Sequence, residues 1–205
     1  MAAIWSAYEY QPSFVLGFHG CDKSVGEKIL CGQEPHLKPS EQKYDWLGHG
    51  IYFWEGNPSR ALEWAAQRKK EGKIKTPFVL GAIIDLRHCL DLFDHDGLVQ
   101  VKEAHRIYLQ LSEAAGTEVA KNVGATPDRA GRALDCAVMN TLHAYRESRE
   151  EPAYDSVRGP FLEGDPIYTD AGFHSENHIQ LCVLNTECIK GYFRPLRTGA
   201  KTTAA

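Results

Sequence analysis

The stretch Gly48-His49-Gly50-Ile51-Tyr52-Phe53-Trp54-Glu55 decides how this chain is interpreted. Its second half joins a β-branched residue to three aromatic residues, a composition typical of a short strand. Glycines at the first and third positions let a backbone come close to a ligand or to another segment of the chain. The stretch alone predicts either a core strand entered through a tight turn or the floor of a ligand site, so the choice depends on what surrounds it.

A strand and a helix are expected before this stretch. The segment Phe14-Val15-Leu16-Gly17-Phe18 is apolar and β-prone, and it predicts a strand that ends on His19-Gly20-Cys21, with His19 at the strand's end. Ser24, with Glu27 three residues later, predicts a capped helix that ends at Leu30. A histidine between a strand and a helix is well placed to contact a ligand, although nearby backbone groups would satisfy it equally well. His19 is therefore a candidate site residue with a structural alternative.

A second helix is expected directly after the aromatic stretch. Asn57-Pro58-Ser59 provides a helix start, because proline is tolerated in a first turn, and helical apolar spacing continues to the charged run 68–71. Trp64 lies within this helix and is either a core anchor or an aromatic wall of a pocket. The basic segment 68–75 is either a solvated face or a surface that touches a second substrate.

The remainder of the chain predicts further strands and helices and one long loop. Residues 77–86 form a nearly continuous apolar run, which is typical of a strand buried on both faces. The other expected elements are helices at 97–115 and 132–149, loops at 116–128 and 151–172, and strands at 177–184 and 189–195. This order predicts a single mixed α+β domain over residues 1–197, with a strongly twisted sheet, a helical insertion at 97–150 and a disordered tail at 198–205.

The amino-acid composition leads to expectations about domain size, cysteine chemistry, location and partners. Of the 205 residues 43% are apolar, which is enough for one domain with a sizeable core. The six cysteines show no C-x-x-C pair and no histidine-cysteine ligand spacing, so we expect reduced core thiols and no metal. Without an N-terminal signal or a long apolar run, we expect no membrane partner and a cytoplasmic location, in a bacterium or in a target cell. The net charge of −4 gives no global reason to expect nucleic acid, and it leaves a local basic face open.

Three of these pieces, in this order, resemble the ADP-ribosyltransferases of the poly(ADP-ribose) polymerase and diphtheria-toxin branch. The pieces are His19-Gly20, Tyr52 in a GxGIYF-type strand, and Gln180 at the start of a late strand. Residues 77–86 also look like the family's apolar strand after the tyrosine motif. The central helices within 97–150 have no counterpart in the resemblance. It implies the family's split, strongly twisted sheet with flanking helices, and NAD as a co-substrate.

The resemblance also implies how NAD would be held. Nicotinamide is a flat carboxamide ring that needs aromatic faces and amide partners, which Tyr52, Trp64 and the Gly20 backbone would supply. The His19 imidazole would hydrogen-bond a ribose hydroxyl. In the family a second tyrosine completes the aromatic stack, and this sequence has Trp64 near that place.

The third position departs from the family pattern. Where the family usually has a glutamate, the best match in this sequence is Gln180, and His178 or Glu176 on the same strand face could take the role instead. His178 is also a candidate for contact with NAD. A glutamine can orient the ribose by hydrogen bonds but adds no negative charge to stabilise an oxocarbenium-like transition state. Transfer of a single ADP-ribose is therefore expected rather than elongation into a polymer.

The resemblance leads to an expected function with named alternatives. A compact transferase of this kind resembles the bacterial toxin-like members, so we expect a mono-ADP-ribosyltransferase toxin acting on protein, RNA or DNA, with an antitoxin protein as a further partner. Arg158 and Glu163, in the long loop, are candidates for contact with the acceptor. The alternatives are an NAD glycohydrolase that uses water as acceptor, an inactive domain that binds a nucleotide or a partner, and an unrelated α+β protein.

Overall fold

The fold is built on a seven-stranded sheet, a two-stranded hairpin and four helices in the computed structural model, which describes residues 14–124 and 131–196. The strands are β1 (Phe14–Asp22), β2 (Ile51–Glu55), β3 (Pro77–Asp85), β4 (Cys89–Asp91), β5 (Asn122–Val123), β6 (Gly131–Arg132), β7 (Ser156–Phe161), β8 (His178–Val183) and β9 (Ile189–Phe193). The helices are α1 (Lys23–Leu30), α2 (Pro58–Lys70), α3 (His95–Ala115) and α4 (Ala133–Ser148). The expected tail at 198–205 lies outside the described residues. No helix among the described residues is long and apolar enough to cross a lipid bilayer.

The large sheet is mostly antiparallel and has the strand order β4-β7-β8-β2-β1-β3-β9. Only the short β4 runs parallel to its neighbour β7, while every other pair in this sheet is antiparallel. The mixed α+β class expected from the sequence is therefore confirmed. Helices flank both faces of the sheet: α1 packs on one face, while α2 packs on the other face against β1 and β3, on the same side as α3 and α4 near β7 and β8.

The two central strands β1 and β2 are paired over a short distance only. Gly17 pairs with Glu55 and Phe18 with Trp54, whereas β1 pairs with β3 over its whole length. Strand β2 continues along β8 as far as Ile51. The sheet is therefore joined between β1 and β2 at one end of these strands and unpaired at the other, where His19 and Tyr52 lie.

The expectation that β1 ends at His19 is wrong. The strand continues to Asp22, because β3 supplies a pairing partner for each residue up to Pro77 opposite Asp22. The first helix is capped by Asp22 and not by Ser24: the Asp22 carboxylate accepts a hydrogen bond from the backbone N–H of Ser24 at 3.0 Å. His19 thus lies inside β1, at a position where β1 still pairs with β3 but no longer with β2.

The two faces of the sheet have different cores. On the first face, Ile51 and Phe53 of β2 pack with Leu181 of β8 and with α1. On the second face, Tyr52 lies in a cluster with α3, α4 and the segment before β2, and Trp54 packs against α2. The helices of the expected insertion therefore cover the second face of the same sheet.

The long loop expected at 151–172 contains strand β7, so this part of the prediction is wrong. Gly159 and Pro160 made this segment resemble a loop, because both residues are disfavoured in strands and proline cannot donate a ladder hydrogen bond. It is tolerated here since β4 ends opposite Arg158, which leaves Pro160 paired on one side only, with Ile179. The true loop is the segment 162–177. The expectation of a turn after β3 also missed the short strand β4.

The remaining expectations agree with the structure to within a few residues. Asn57 caps α2, with Pro58 in the first turn, and β3, α3, α4, β8 and β9 lie at the expected positions. The loop expected at 116–128 contains the short strand β5, and its last residues lie outside the described part. All six cysteines are free thiols, but Cys31 is exposed and is not a core residue.

Candidate active site

His19 and Tyr52 meet where β1 and β2 part. The Nδ1 atom of His19 lies 2.8 Å from the backbone carbonyl oxygen of Tyr52. Because a carbonyl only accepts, Nδ1 carries the proton and Nε2 keeps a lone pair when the ring is neutral. Burial lowers the pKa of His19, against the opposing effect of the Tyr52 carbonyl, so the ring is neutral near pH 7. Within residues 14–124 and 131–196, Nε2 makes no hydrogen bond.

The Tyr52 hydroxyl closes the turn before its own strand. It donates to the carbonyl oxygen of Gly48 at 2.8 Å and accepts from the backbone N–H of Leu47 at 2.9 Å. Burial is the main cause that raises the pKa of this phenol far above its usual range. Gly48 has a φ of +89°, a conformation that favours glycine. The hydroxyl is therefore a structural group, and only the ring and the carbonyl of Tyr52 are placed for a site.

The side chains of His19 and Tyr52 leave the sheet on opposite faces. The His19 ring packs edge-on against Phe53 with centroids 5.9 Å apart, on the first face. Tyr52 and Trp54 point to the second face, because neighbouring residues of a strand alternate. The two expected catalytic side chains thus come together only through the carbonyl of Tyr52.

Gly20 and Trp64 are in direct contact. A Cβ at Gly20 would lie 2.2 Å from the carbonyl oxygen of Ala61 and 3.2 Å from the Trp64 ring, so α2 needs glycine at this point of β1. Trp64 also packs against Trp54, with ring centroids 5.8 Å apart. The Trp64 side chain is partly buried, which is compatible with a pocket wall as well as with a core anchor.

Gln180 is oriented by a tryptophan that the sequence did not single out. The Nε1 atom of Trp46 donates to the Oε1 atom of Gln180 at 2.6 Å. The Trp46 ring lies against Gly159, where a Cβ would approach it to 2.8 Å. Gln180 is paired with Trp54 of β2, on the second face. Its side-chain NH₂ donors make no hydrogen bond within the described residues. The signal that could have found Trp46 is an aromatic residue two positions before the GHGIYF stretch.

His178, the alternative to Gln180 at the third position, is buried at the start of β8. Its ring stacks on Phe161, with centroids 5.3 Å apart, and its Nδ1 atom lies 2.7 Å from the Glu176 carbonyl oxygen. Burial is the main cause that lowers the His178 pKa, opposed by that carbonyl and by Glu163. A neutral ring with its proton on Nδ1 follows.

A buried arginine, which the sequence analysis missed, holds both ends of the 162–177 loop. The Nη2 atom of Arg60 lies 2.7 Å from Oε2 of Glu163 and 3.0 Å from Oε2 of Glu176. The Arg60 side chain is 8% exposed. The only sequence signal was an arginine four residues before Trp64, on the helix face that meets the sheet.

Three buried nitrogen atoms in this neighbourhood lack a hydrogen-bond partner among the described residues. They are Nε1 of Trp54, Nε of Arg60 and Nε2 of His178. The Trp54 and His178 rings lie 6.1 Å apart, and His178 is 3.6 Å from the same Glu163 oxygen that Arg60 binds. Buried polar atoms are seldom left unpaired without a functional or structural reason, so the second face beside Gln180 is the other half of the candidate site.

Arg158 does not lie in a loop and does not act with Glu163. It belongs to β7, and its guanidinium binds Glu55 at 2.6 and 3.1 Å and Asp91 at 3.2 Å. The hydrogen bonds that Arg158 donates to Glu55 are the first cause that raises the Arg158 pKa. Arg158 is paired with Leu181 and so belongs to the first face. The two residues expected in one acceptor loop therefore have different roles. Arg158 forms a structural ion pair with Glu55, whereas Glu163 anchors the base of the 162–177 loop to Arg60.

A cavity of about 730 Å³ opens elsewhere, between α4 and the segment that follows it. His49, Asn140, His143 and Tyr154 are among the residues that line it. None of the site residues expected from the sequence contributes to its wall. This cavity and the expected site are thus different places.

Comparison with known proteins found no match to a family model, to a curated protein or to a solved structure. The function must therefore be argued from the arrangement of the residues themselves.

Proposed function

We propose that this protein is an NAD-dependent mono-ADP-ribosyltransferase, which cleaves the bond between nicotinamide and ribose and transfers ADP-ribose to a macromolecular acceptor. The observation that carries the proposal is the hydrogen bond from His19 to the Tyr52 carbonyl. It joins residues 33 positions apart, at the point where β1 and β2 part. These two residues belong to the motifs that carry the family resemblance, and their contact leaves the Nε2 lone pair of His19 without a partner in the described chain.

The chemistry assigns different tasks to the residues around this point. A neutral His19 accepts a hydrogen bond from a ribose hydroxyl through Nε2. Gly20, next to His19 in β1, and Trp64 supply a bare backbone and an aromatic ring on the second face, as a flat carboxamide requires. Nicotinamide leaves with the electron pair of the broken bond, and a nucleophile on the acceptor then bonds to C1′ and gives up its proton. Gln180 orients the ribose through its free NH₂ donors.

The missing carboxylate sets the expected strength of catalysis. Gln180 carries no charge, and the carboxylates of Glu163 and Glu176 are both paired with Arg60. Stabilisation of the positive charge on the sugar is therefore weaker than a glutamate at position 180 would give. The same observation favours a second candidate, a domain of this architecture that binds NAD without breaking it.

Incubation of the purified protein with adenine-labelled NAD tests the proposal. We expect nicotinamide release in wild type and in His95→Ala, an exposed histidine on α3, and its loss in His19→Ala. Circular dichroism and thermal unfolding establish that each variant is folded. A folded His19→Ala with wild-type turnover would contradict the proposed role of this residue.

The fate of the label separates the related functions. Label on a macromolecule in a cell lysate supports a transferase. Free ADP-ribose alone identifies an NAD glycohydrolase, which shares the site and uses water as the acceptor. A thermal shift with NAD but no release of nicotinamide identifies the binding domain.

A further inference from the structure

A basic surface lies next to the candidate site, although the chain as a whole is acidic. Exposed or partly exposed cations from the end of α2, the turn after it and α1 gather here: Lys23, Lys28, Arg68, Lys69, Lys70, Lys73 and Lys75. Backbone hydrogen bonds tie these segments together. The N–H of Lys23 donates to the Thr76 carbonyl at 2.8 Å, and the N–H groups of Lys75 and Thr76 donate to the Asp22 carboxylate at 2.7 and 2.9 Å.

Most of these cations are not neutralised locally. Arg68 and Lys73 share Glu71, each at 2.9 Å, while the other five make no ion pair within the described part of the chain. With Arg194, which pairs with Glu27 of α1, eight positive charges stand against Asp22, Glu27 and Glu71 and leave a surplus of five on this surface, in a chain whose net charge is −4. A local surplus of that size attracts a polyanion despite the overall charge.

An aromatic platform connects this surface to the candidate site. The guanidinium carbon of Arg68 lies 5.2 Å from the centre of the Trp64 ring, and the same ring touches Gly20, the neighbour of His19. Tryptophan rings and arginine guanidinium groups are surfaces on which nucleic-acid bases stack, and lysines around them hold the phosphates. An acidic protein or a lipid surface would use the charge but has no need of the platform.

We propose that this basic surface binds single-stranded nucleic acid through its phosphodiester backbone, and that the bound strand is the acceptor of ADP-ribose. The second part rests on the proposed transferase function. A nucleophilic atom of the strand, such as an amine or a terminal phosphate oxygen, bonds to C1′ as nicotinamide departs, and any proton it carried passes to solvent. Contacts made to phosphates do not distinguish sugars, so RNA and DNA strands of equal length bind alike.

Fluorescence anisotropy with labelled single-stranded RNA and DNA oligonucleotides, without NAD, tests the binding. Five lysine-phosphate contacts predict a slope of about −3.5 for log K against log salt, or roughly 100-fold weaker binding at 200 mM than at 50 mM. The variant Lys69→Ala/Lys70→Ala/Lys75→Ala should lower the magnitude of that slope by about 2. A variant with the same charge change, Lys43→Ala/Lys102→Ala/Lys121→Ala, should bind like wild type. Equal binding by the two triple variants would overturn the proposal.

Transfer is measured separately, as the fraction of released nicotinamide that is matched by label on the oligonucleotide. We expect this fraction to fall at least tenfold in the variant of the basic surface and to stay unchanged in the control. Label found on lysate proteins and not on oligonucleotides overturns the assignment of the acceptor. If no variant releases nicotinamide, the transferase proposal fails, whereas the salt-dependent binding still decides whether the basic surface is a nucleic-acid site.

Discussion

Replacement of Arg60 tests whether this buried arginine holds the 162–177 loop in place. Its side chain is 8% exposed, and its carboxylate partners Glu163 and Glu176 are 25% and 44% exposed. Breaking a fully buried pair costs about 3–5 kcal/mol, and breaking an exposed pair costs about 1 kcal/mol or less. The free-energy cost of breaking the contact with Glu163 should lie between these limits, and the cost of breaking the contact with Glu176 should lie near the lower limit.

The expected magnitudes follow from these contacts. Glu163→Gln should destabilise the fold by about 2 kcal/mol, because Arg60 then stays buried with one carboxylate partner fewer. Arg60→Met should cost less, about 1–2 kcal/mol, because it also removes the unpaired Nε donor. A double-mutant cycle on Arg60 and Glu163 should give a coupling of roughly 1.5 kcal/mol.

Urea unfolding of wild type, both single variants and the double variant measures this coupling, and hydrogen exchange locates it. In Arg60→Met the amides of Ser175 and Glu176, which donate across the base of the loop, should exchange faster, while Leu181 in β8 should not change. The same cycle on the solvent-exposed pair Arg194 and Glu27 is the matched control and should show no coupling above error. A coupling for Arg60 and Glu163 as small as that control would refute the reasoning.

Three other substitutions test buried groups at and away from the candidate site. Gly20→Ala should destabilise by about 2 kcal/mol or more in urea unfolding, since its Cβ would meet the Ala61 carbonyl at 2.2 Å, whereas Gly172→Ala, which meets nothing, should be neutral. Burial, aided by the positive charge of Arg146, lowers the His143 pKa to about 4. Between pH 6.5 and 4 the unfolded chain therefore binds a proton at His143 and the folded chain does not, so the free energy of unfolding falls as the pH drops below 6.5. Between pH 7 and 5 this loss is about 2 kcal/mol, and His143→Gln should lack that share of the pH dependence in the same assay. Tyr52→Phe should cost about 1–3 kcal/mol, because it unpairs two backbone groups, and an unchanged melting temperature would contradict the structural role of the hydroxyl.

The parts of the fold that the sequence predicted are those in which local patterns agree with the tertiary environment. Helix α2 begins at Asn57 as its capping residue requires, and β3 fills the apolar run 77–86 almost completely. The errors lie where tertiary pairing overrides local signals. Strand β7 carries Gly159 and Pro160, whose preferences favour a loop, and only the end of β4 beside them makes a strand acceptable. β1 passes through His19 because β3 pairs with it along its whole length.

For the candidate site, the sequence predicted the strands that carry the residues but not the contacts of their side chains. The sequence predicted a strand at or next to each of His19, Tyr52 and Gln180, and in the structure these residues lie on β1, β2 and β8, which follow one another in the sheet. It could not show that alternation puts the His19 ring on the opposite face, because the register depends on the pairing of Phe18 with Trp54. Nor could it find Arg60, whose partners lie about a hundred residues further along the chain and are brought to it only by the 162–177 loop.

The opening stretch is better understood as part of a longer unit that begins at Asp45. The Asp45 carboxylate accepts from Ser40 and from the backbone of Gln42, which fixes the turn that presents Trp46 to Gln180. The next residues of the same turn bind the Tyr52 hydroxyl. One turn thus orients Gln180, the third candidate site residue, and fixes the strand that carries Tyr52, the second candidate. Because the glutamine oxygen is held by an indole N–H, a glutamate at this position would also accept that bond, so Gln180→Glu is the substitution that adds the missing charge without removing the Trp46 contact. If the proposed function is right, it should accelerate nicotinamide release, and a folded Gln180→Glu variant with unchanged release would place the reacting sugar elsewhere.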